Sequence, residues 1–103
     1  MSGLLGKAAL VANTNTTIYT VPADAVVTAN INLCNRTAAA ITVRLSIGAA
    51  IPADSDFIEY DTSIPAYGVL ERSGMAMAAA ENLVARASAT GVSIRAFGFT
   101  EVA

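Results

Sequence analysis

Carboxylates are the only chemistry-bearing side chains that cluster in this sequence. Four of the eight acidic residues, Asp54, Asp56, Glu59 and Asp61, fall in the stretch DSDFIEYD at positions 54–61. Such a run could hold a hard cation through several oxygens, or pair two carboxyl groups as general acid and base. The spacing speaks against both. A calcium loop of the EF-hand kind needs oxygens at alternate positions and a glycine at the sixth for its sharp turn. DSDFIEYDTSIP offers Asp at the first and third positions only, then Phe57 and Ile58, and no glycine. Read as a strand, the segment puts Asp54, Asp56, Ile58 and Tyr60 on one face and Phe57, Glu59 and Asp61 on the other. Four ligands then do not converge on one ion. A site made by Glu59 and Asp61 with a distant loop stays open as an alternative.

The remaining inventory is thin. Histidine is absent, which removes the commonest general base and the commonest zinc ligand together. Cys34 has no histidine to activate it and no second cysteine to pair with inside the chain. The glycines are scattered, so no phosphate-cradling loop forms. The chain is therefore expected to be no enzyme, with no catalytic residues, no metal ligands and no cofactor. The acids have a structural reading instead. Asp61-Thr62-Ser63 starts a turn ahead of Pro65, where such side chains bond backbone groups. Glu59 can face an arginine on a neighbouring strand, Arg44, Arg72 or Arg95, and so set register. Asp56 on an edge strand discourages edge-to-edge aggregation. Arg44, Arg86 and Arg95 sit mid-strand among small or apolar residues and read as outward-facing. The competing reading is pairing with carboxylates of another subunit, for which arginine is suited.

Composition says what surrounds these groups. Of 103 residues, 54% are apolar and only 14% charged, against about 25% in ordinary soluble domains. Alanine alone supplies 22 positions and tryptophan none. A surface so poor in charge is expected to be covered in part by something else. The net charge of −2 gives no electrostatic footprint for nucleic acid or an anionic membrane, and neither is expected as a partner.

The elements that must position these residues follow period two. VVTANINLC places Val27, Ala29, Ile31 and Leu33 on one face, and ITVRLSI places Ile41, Val43, Leu45 and Ile47 on one face. Further strands are read at 8–11, 16–21, 55–61, 67–72, 83–88 and 92–99. The last two are expected to form a hairpin across Ala89-Thr90-Gly91. GMAMAAAENLVARASA, residues 74–89, is rich in helix formers, so a helix competes there. Strands are preferred because Ala80-Glu81-Asn82 can serve as a turn. About seven or eight short strands with regular turns make an all-β antiparallel sandwich or jelly roll. Residues 1–6 are expected as an N-terminal arm and 7–103 as the single domain. Tyr60, Tyr67 and Phe99, near strand ends, read as core or rim packing.

Three phrases stand together in the order IYTVPADAVVTANINLCNRTAAAITVRLSIG, DFIEYDTSIPAYGVLERSG and ENLVARASATGVSIRAFGF. This order resembles small bacteriophage virion proteins, with their "LYTVPAG" opening, "CNR" corner, "IEYD…LP…GVLER" middle and closing "GVSVR…G" strand. The resemblance covers about residues 16–100. The sequence departs from the pattern at Ala23-Asp24, where a glycine turn is usual, and at Ala80-Glu81-Asn82, where a glycine usually precedes the acid.

The resemblance implies a module that decorates a phage particle, as capsid cement or in the tail, with no catalytic residues to carry over. The expected function is a virion structural protein, made in the host cytoplasm, that clamps neighbouring capsomers. Its partners would be copies of itself, as a trimer, and the major capsid protein. A tail, baseplate or fibre adaptor is the alternative, and a carbohydrate-binding module at a host surface a lower one. Strand addition at free edges and exchange of the arm carrying Leu4 and Leu5 are the expected means of assembly. Asp56, Glu59, Asp61, Arg44 and Arg86 are the other candidate interface residues. Removing residues 1–6 is expected to weaken assembly and leave the domain folded.

Overall fold

The computed structural model describes residues 2–102 and contains eight strands among them. They are β1 (Ser2–Ala9), β2 (Thr16–Thr20), β3 (Ala25–Asn35), β4 (Ile41–Gly48), β5 (Phe57–Ile64), β6 (Val69–Met77), β7 (Asn82–Ala87) and β8 (Val92–Val102), with one 3-10 turn at Asp54–Asp56. All three prolines, Pro22, Pro52 and Pro65, lie between strands, where a missing N–H breaks no ladder.

One sheet has the order β1-β8-β3-β6 and the other β2-β7-β4-β5. Every pairing between these strands is antiparallel, and β4 pairs β5, β3 pairs β6, β2 pairs β7 and β1 pairs β8. The chain thus pairs as one long hairpin bent after β4, then rolled so that its limbs alternate between two sheets. This is a jelly roll. Its core comes from the alternation itself. Val27, Ala29, Ile31 and Leu33 of one sheet meet Val43, Leu45, Leu83 and Ala85 of the other, all buried.

The edges differ from the middle. The inner ladders β3–β8 and β4–β7 run without a register shift, whereas each of the four edge strands pairs through one. Bulges twist an edge and spoil it as a template for another strand. On one side of the sandwich a Cβ at Gly6 of β1 would collide with the carbonyl oxygen of Ile18 in β2, so glycine lets the two sheets close there. On the other side Arg72 of β6 forms an ion pair with Glu59 of β5.

Several expectations need correction. Residues 2–6 are no free arm: they form the first half of β1, with Leu4 opposite Phe97 and Leu5 packed against the core. Met1 lies outside the described residues. The reason is burial: β8 offers an unpaired edge, and Leu5 has apolar surface to cover. Deleting 2–6 would therefore remove part of the sandwich. The hairpin of 83–88 with 92–99 does not form, because β7 and β8 belong to different sheets. Leu83, Ala85 and Ala87 face Val92, Ile94 and Ala96 across the core instead of lying beside them. The competing helix at 74–89 is absent; β6 and β7 are strands joined by a turn at 78–81.

Candidate functional site

The acidic stretch is the first place to look. Its front is not a strand. Asp54–Asp56 is a 3-10 turn in which Asp56 Oδ2 accepts from the backbone N–H of Ala49 (3.2 Å) and Ala53 (3.0 Å). Asp56 thus ties down the loop between β4 and β5 and is not an edge-strand charge.

Beyond it, strict alternation fails at a bulge. Leu45 of β4 opposes Glu59, and Val43 opposes Thr62. Two residues of β5, Tyr60 and Asp61, therefore oppose the single residue Arg44, and Asp61 takes a positive φ of 52°. Arg44 uses both. Its Nε donates to Asp61 Oδ1 at 2.7 Å and its Nη2 to Oδ2 at 3.2 Å, while its guanidinium carbon lies 4.1 Å from the Tyr60 ring centroid. Tyr60 meets Phe57 edge-on at 5.0 Å. The hydrogen bond from Arg44 holds the Asp61 carboxyl below the usual carboxylate range, helped by the charges of Arg44 and Arg86 against a desolvation cost. The same bond raises Arg44. A carboxylate held this way is a poor proton acceptor, so this pair suits structure better than acid-base work.

Glu59 is placed differently. Its register partner Leu45 points into the core, and the Glu59 side chain is only 12% exposed. A charge this covered needs a partner. It has Arg72 from the other sheet and the Thr62 hydroxyl, which donates at 2.7 Å. Arg86 stands opposite Arg44 on β7 and lines a cleft of about 300 Å³ with Asn13, Thr42, Asp61 and Ser88. Ser88 Oγ accepts from the Thr42 N–H at 3.1 Å. Among the described residues no three His, Cys, Asp or Glu side chains are placed to share a metal ion.

The CNR corner resolves into one side chain. Asn35 is 1% exposed. Its Nδ2 lies 2.8 Å from Ala39 O and 3.1 Å from both Ile64 O and Pro65 O, and its Oδ1 accepts from Thr37 N–H and Thr37 Oγ. It joins the loop after β3 to the loop after β5.

The outer face of the β1-β8-β3-β6 sheet is of another kind. Along β8, Val92, Ile94 and Ala96 point inward, so Ser93, Arg95, Phe97, Phe99 and Glu101 point out. Phe99 is 60% exposed, not core or rim packing, and Phe97 and Leu4, directly opposite each other, are also exposed. Val26, opposite Glu101, extends the patch. Towards the other end, Lys7 opposes Arg95 beside a shallow depression of about 490 Å³ that also touches Asn32, Cys34 and Ser93.

The chain matches no family model, no curated sequence and no solved structure. Its function must therefore be read from its own surfaces. Of the seven candidate interface residues, the structure brings Arg44, Asp61 and Arg86 together, and it engages Glu59 and Asp56 within the chain. Leu5 is packed inward, and Leu4 alone lies on the open apolar face. Phe97, Phe99 and Val26 are not among those seven. Their signal is present in VSIRAFGF, where both phenylalanines share the parity of Arg95, the residue least able to enter a core.

Proposed function

We propose that this chain is a non-enzymatic structural protein of a bacteriophage virion, of the cement type that binds across the outside of a capsid. The observation that carries the reading is the uncovered apolar face of Leu4, Phe97, Phe99 and Val26 on a chain whose polar side chains tie its own loops together. Exposed apolar patches of this kind mark contact with another macromolecule. The IEYD, CNR and GVLER phrases, by which the chain resembles phage virion proteins, favour a virion component as that partner. Each phrase acquires a structural role, since Asp61 fills the bulge beside Arg44, Asn35 locks a corner, and Arg72 closes the sandwich on Glu59. Jelly rolls also serve as lectins and cupins, so the fold supports the reading without deciding it.

The exposed phenylalanines also meet one demand of the carbohydrate alternative, an aromatic platform. Its other demand, free polar groups beside the rings, is met less well. Asn30 accepts from Gly74 N–H and Asn32 donates to Glu71.

The test is reconstitution. Purified protein is added to phage capsids that lack it, and bound copies are counted by cryo-EM. Hundreds of copies at defined lattice positions support cement. A handful at one vertex moves the protein to the tail, and no binding to any particle component overturns the reading.

A further inference from the structure

We propose that the outer face of the β1-β8-β3-β6 sheet is a self-complementary interface through which two copies of this chain pair about a two-fold axis. The argument starts from the order of side chains along β8. The outward stripe reads Arg95, Phe97, Phe99, Glu101: a cation, two aromatic rings and an anion at equal spacing. Successive members stand about 6.6 Å apart, two strand residues each. Turned end for end about Gly98, the stripe superposes ring on ring and places Arg95 over Glu101 at both ends. A second copy laid face to face with its β8 antiparallel to the first meets this pattern.

The flanking strands extend the match. Lys7 of β1 opposes Arg95 and adds a second cation at that end. Leu4 opposes Phe97 and widens the apolar centre, and Val26 opposes Glu101. Asp24 lies in the turn ahead of β3, so the acidic end carries two carboxylates near the end of β8. Glu71, across the basic row, is already held by Asn32. Lys7, Arg95 and Glu101 have no ion-pair partner among the described residues, whereas Arg44, Arg72, Glu59 and Asp61 do. Arg95 and Glu101, the two charges on the stripe itself, complete each other across a two-fold.

This symmetry differs from the expected trimer. A stripe whose sign reverses about its own midpoint is satisfied by one copy of itself in reverse, which is an isologous contact. The edges are poorer sites, since all four edge strands carry register shifts. Four strands about 4.8 Å apart offer a face smaller than the ~800 Å² per partner of a standard stable interface, so the pair should be concentration-dependent. The same apolar face carries the proposed capsid contact, so pairing describes the free protein and competes with capsid binding; sedimentation tests the first and reconstitution the second.

The experiment is sedimentation equilibrium of the full chain over a wide concentration range. The unmodified protein is expected as a monomer–dimer equilibrium. K7E/R95E alone and E101K alone should each weaken pairing at least about tenfold, because like charges then meet at both ends. An equimolar mixture of the two variants should restore it as a heterodimer, since each cation again faces an anion. F97S/F99S should be monomeric with unchanged circular dichroism. Concentration-dependent amide shifts of the unmodified protein, expected at 2–7 and 93–101, give a measure free of any folding defect in a variant. A trimer, a monomer at millimolar concentration, a dimer indifferent to the charge reversals, no rescue on mixing folded variants, or shifts mapping elsewhere would each overturn the proposal.

Discussion

The two outer faces of this sandwich are built by the same alternation and finished in opposite ways. On the β2-β7-β4-β5 sheet, Val84 and Ser46 point away from the core yet are almost fully buried. Around them Phe57 meets Tyr60 edge-on, Tyr60 lies under Arg44, and Arg44 holds Asp61. On the β1-β8-β3-β6 sheet the outward rings of Phe97 and Phe99 and the side chain of Leu4 are left open, with Arg95 at one end and Glu101 at the other in no ion pair among the described residues. A bulge makes the difference. It turns two consecutive residues of β5 outward against one arginine, so that face covers itself with its own side chains. The face with the phenylalanines has bulges at its edges too, but they bring no side chain over Phe97 and Phe99, which stay exposed among the described residues. One face is covered by its own side chains, and the other leaves Leu4, Phe97 and Phe99 exposed.

If polar side chains are used to hold the frame, the largest loss should follow from removing the most buried of them. Asn35→Ala strips two loops of a shared partner: Ala39 O and Pro65 O keep other donors, but the buried Ile64 O and the Thr37 N–H lose the side chain that bonds them. It should destabilise by about 3 kcal/mol in urea unfolding, since each orphaned buried group costs roughly 1–3 kcal/mol. A loss comparable to that of an exposed substitution would mean that water replaces Asn35 freely, and the corner would not be a structural lock.

Next comes the clasp between the sheets. Arg72→Ala leaves the covered Glu59 carboxylate with only the Thr62 hydroxyl. Breaking a fully buried pair costs 3–5 kcal/mol, and Arg72 is partly exposed, so about 2 kcal/mol is expected. Glu59→Gln in the Arg72→Ala background should recover much of the loss, because the uncompensated charge is then gone. Without recovery, the loss in Arg72→Ala would lie in its packing stem and not in charge.

What the sequence discloses follows from which rules are local. The inward stripes of β3 and β4 are legible because alternation needs only adjacent residues. The bulge at Tyr60-Asp61 is not, since nothing in IEYDTS marks where period two skips. The pairing of β7 with β4 instead of β8 is hidden for a related reason: a short link such as residues 88–91 serves a hairpin or a crossing between sheets equally well. The open aromatic face is legible in the parity of VSIRAFGF, but a phenylalanine near a strand end reads as packing until its neighbours are known. The departures from the phage pattern are informative in unequal degree. Ala23 and Asp24 form a turn closed by Ala25 N–H to Pro22 O with neither at positive φ, so no glycine is needed. Ala80 has φ of 66°, a conformation that favours glycine. Ala80→Gly should therefore stabilise the chain by about 1 kcal/mol, read as a higher urea midpoint at unchanged slope. A loss would show that the extra freedom of glycine in the unfolded chain outweighs the relief of strain.

The smallest expected effect probes the completed face. Asp61 is held below the ordinary aspartate value of 3.8, first by the hydrogen bond from Arg44. A carboxyl whose value is lower folded than unfolded releases its proton more readily in the native state. It thus contributes stability at neutral pH, and that contribution fades only as pH falls below 3.8 through the lowered value. The pair is exposed to solvent, so the effect should be slight and should shrink in salt. Asp61→Asn should melt a little below the unmodified protein at neutral pH, keep that gap down to about pH 4, and lose it in stronger acid. Phe99→Ser on the open face should show no such pH-dependent gap when both are melted as monomers, at concentrations where pairing is absent. If the Asp61→Asn gap were constant at every pH, the bulge and not the ion pair would be what Asp61 supplies, and the self-covering of that face would rest on backbone shape alone.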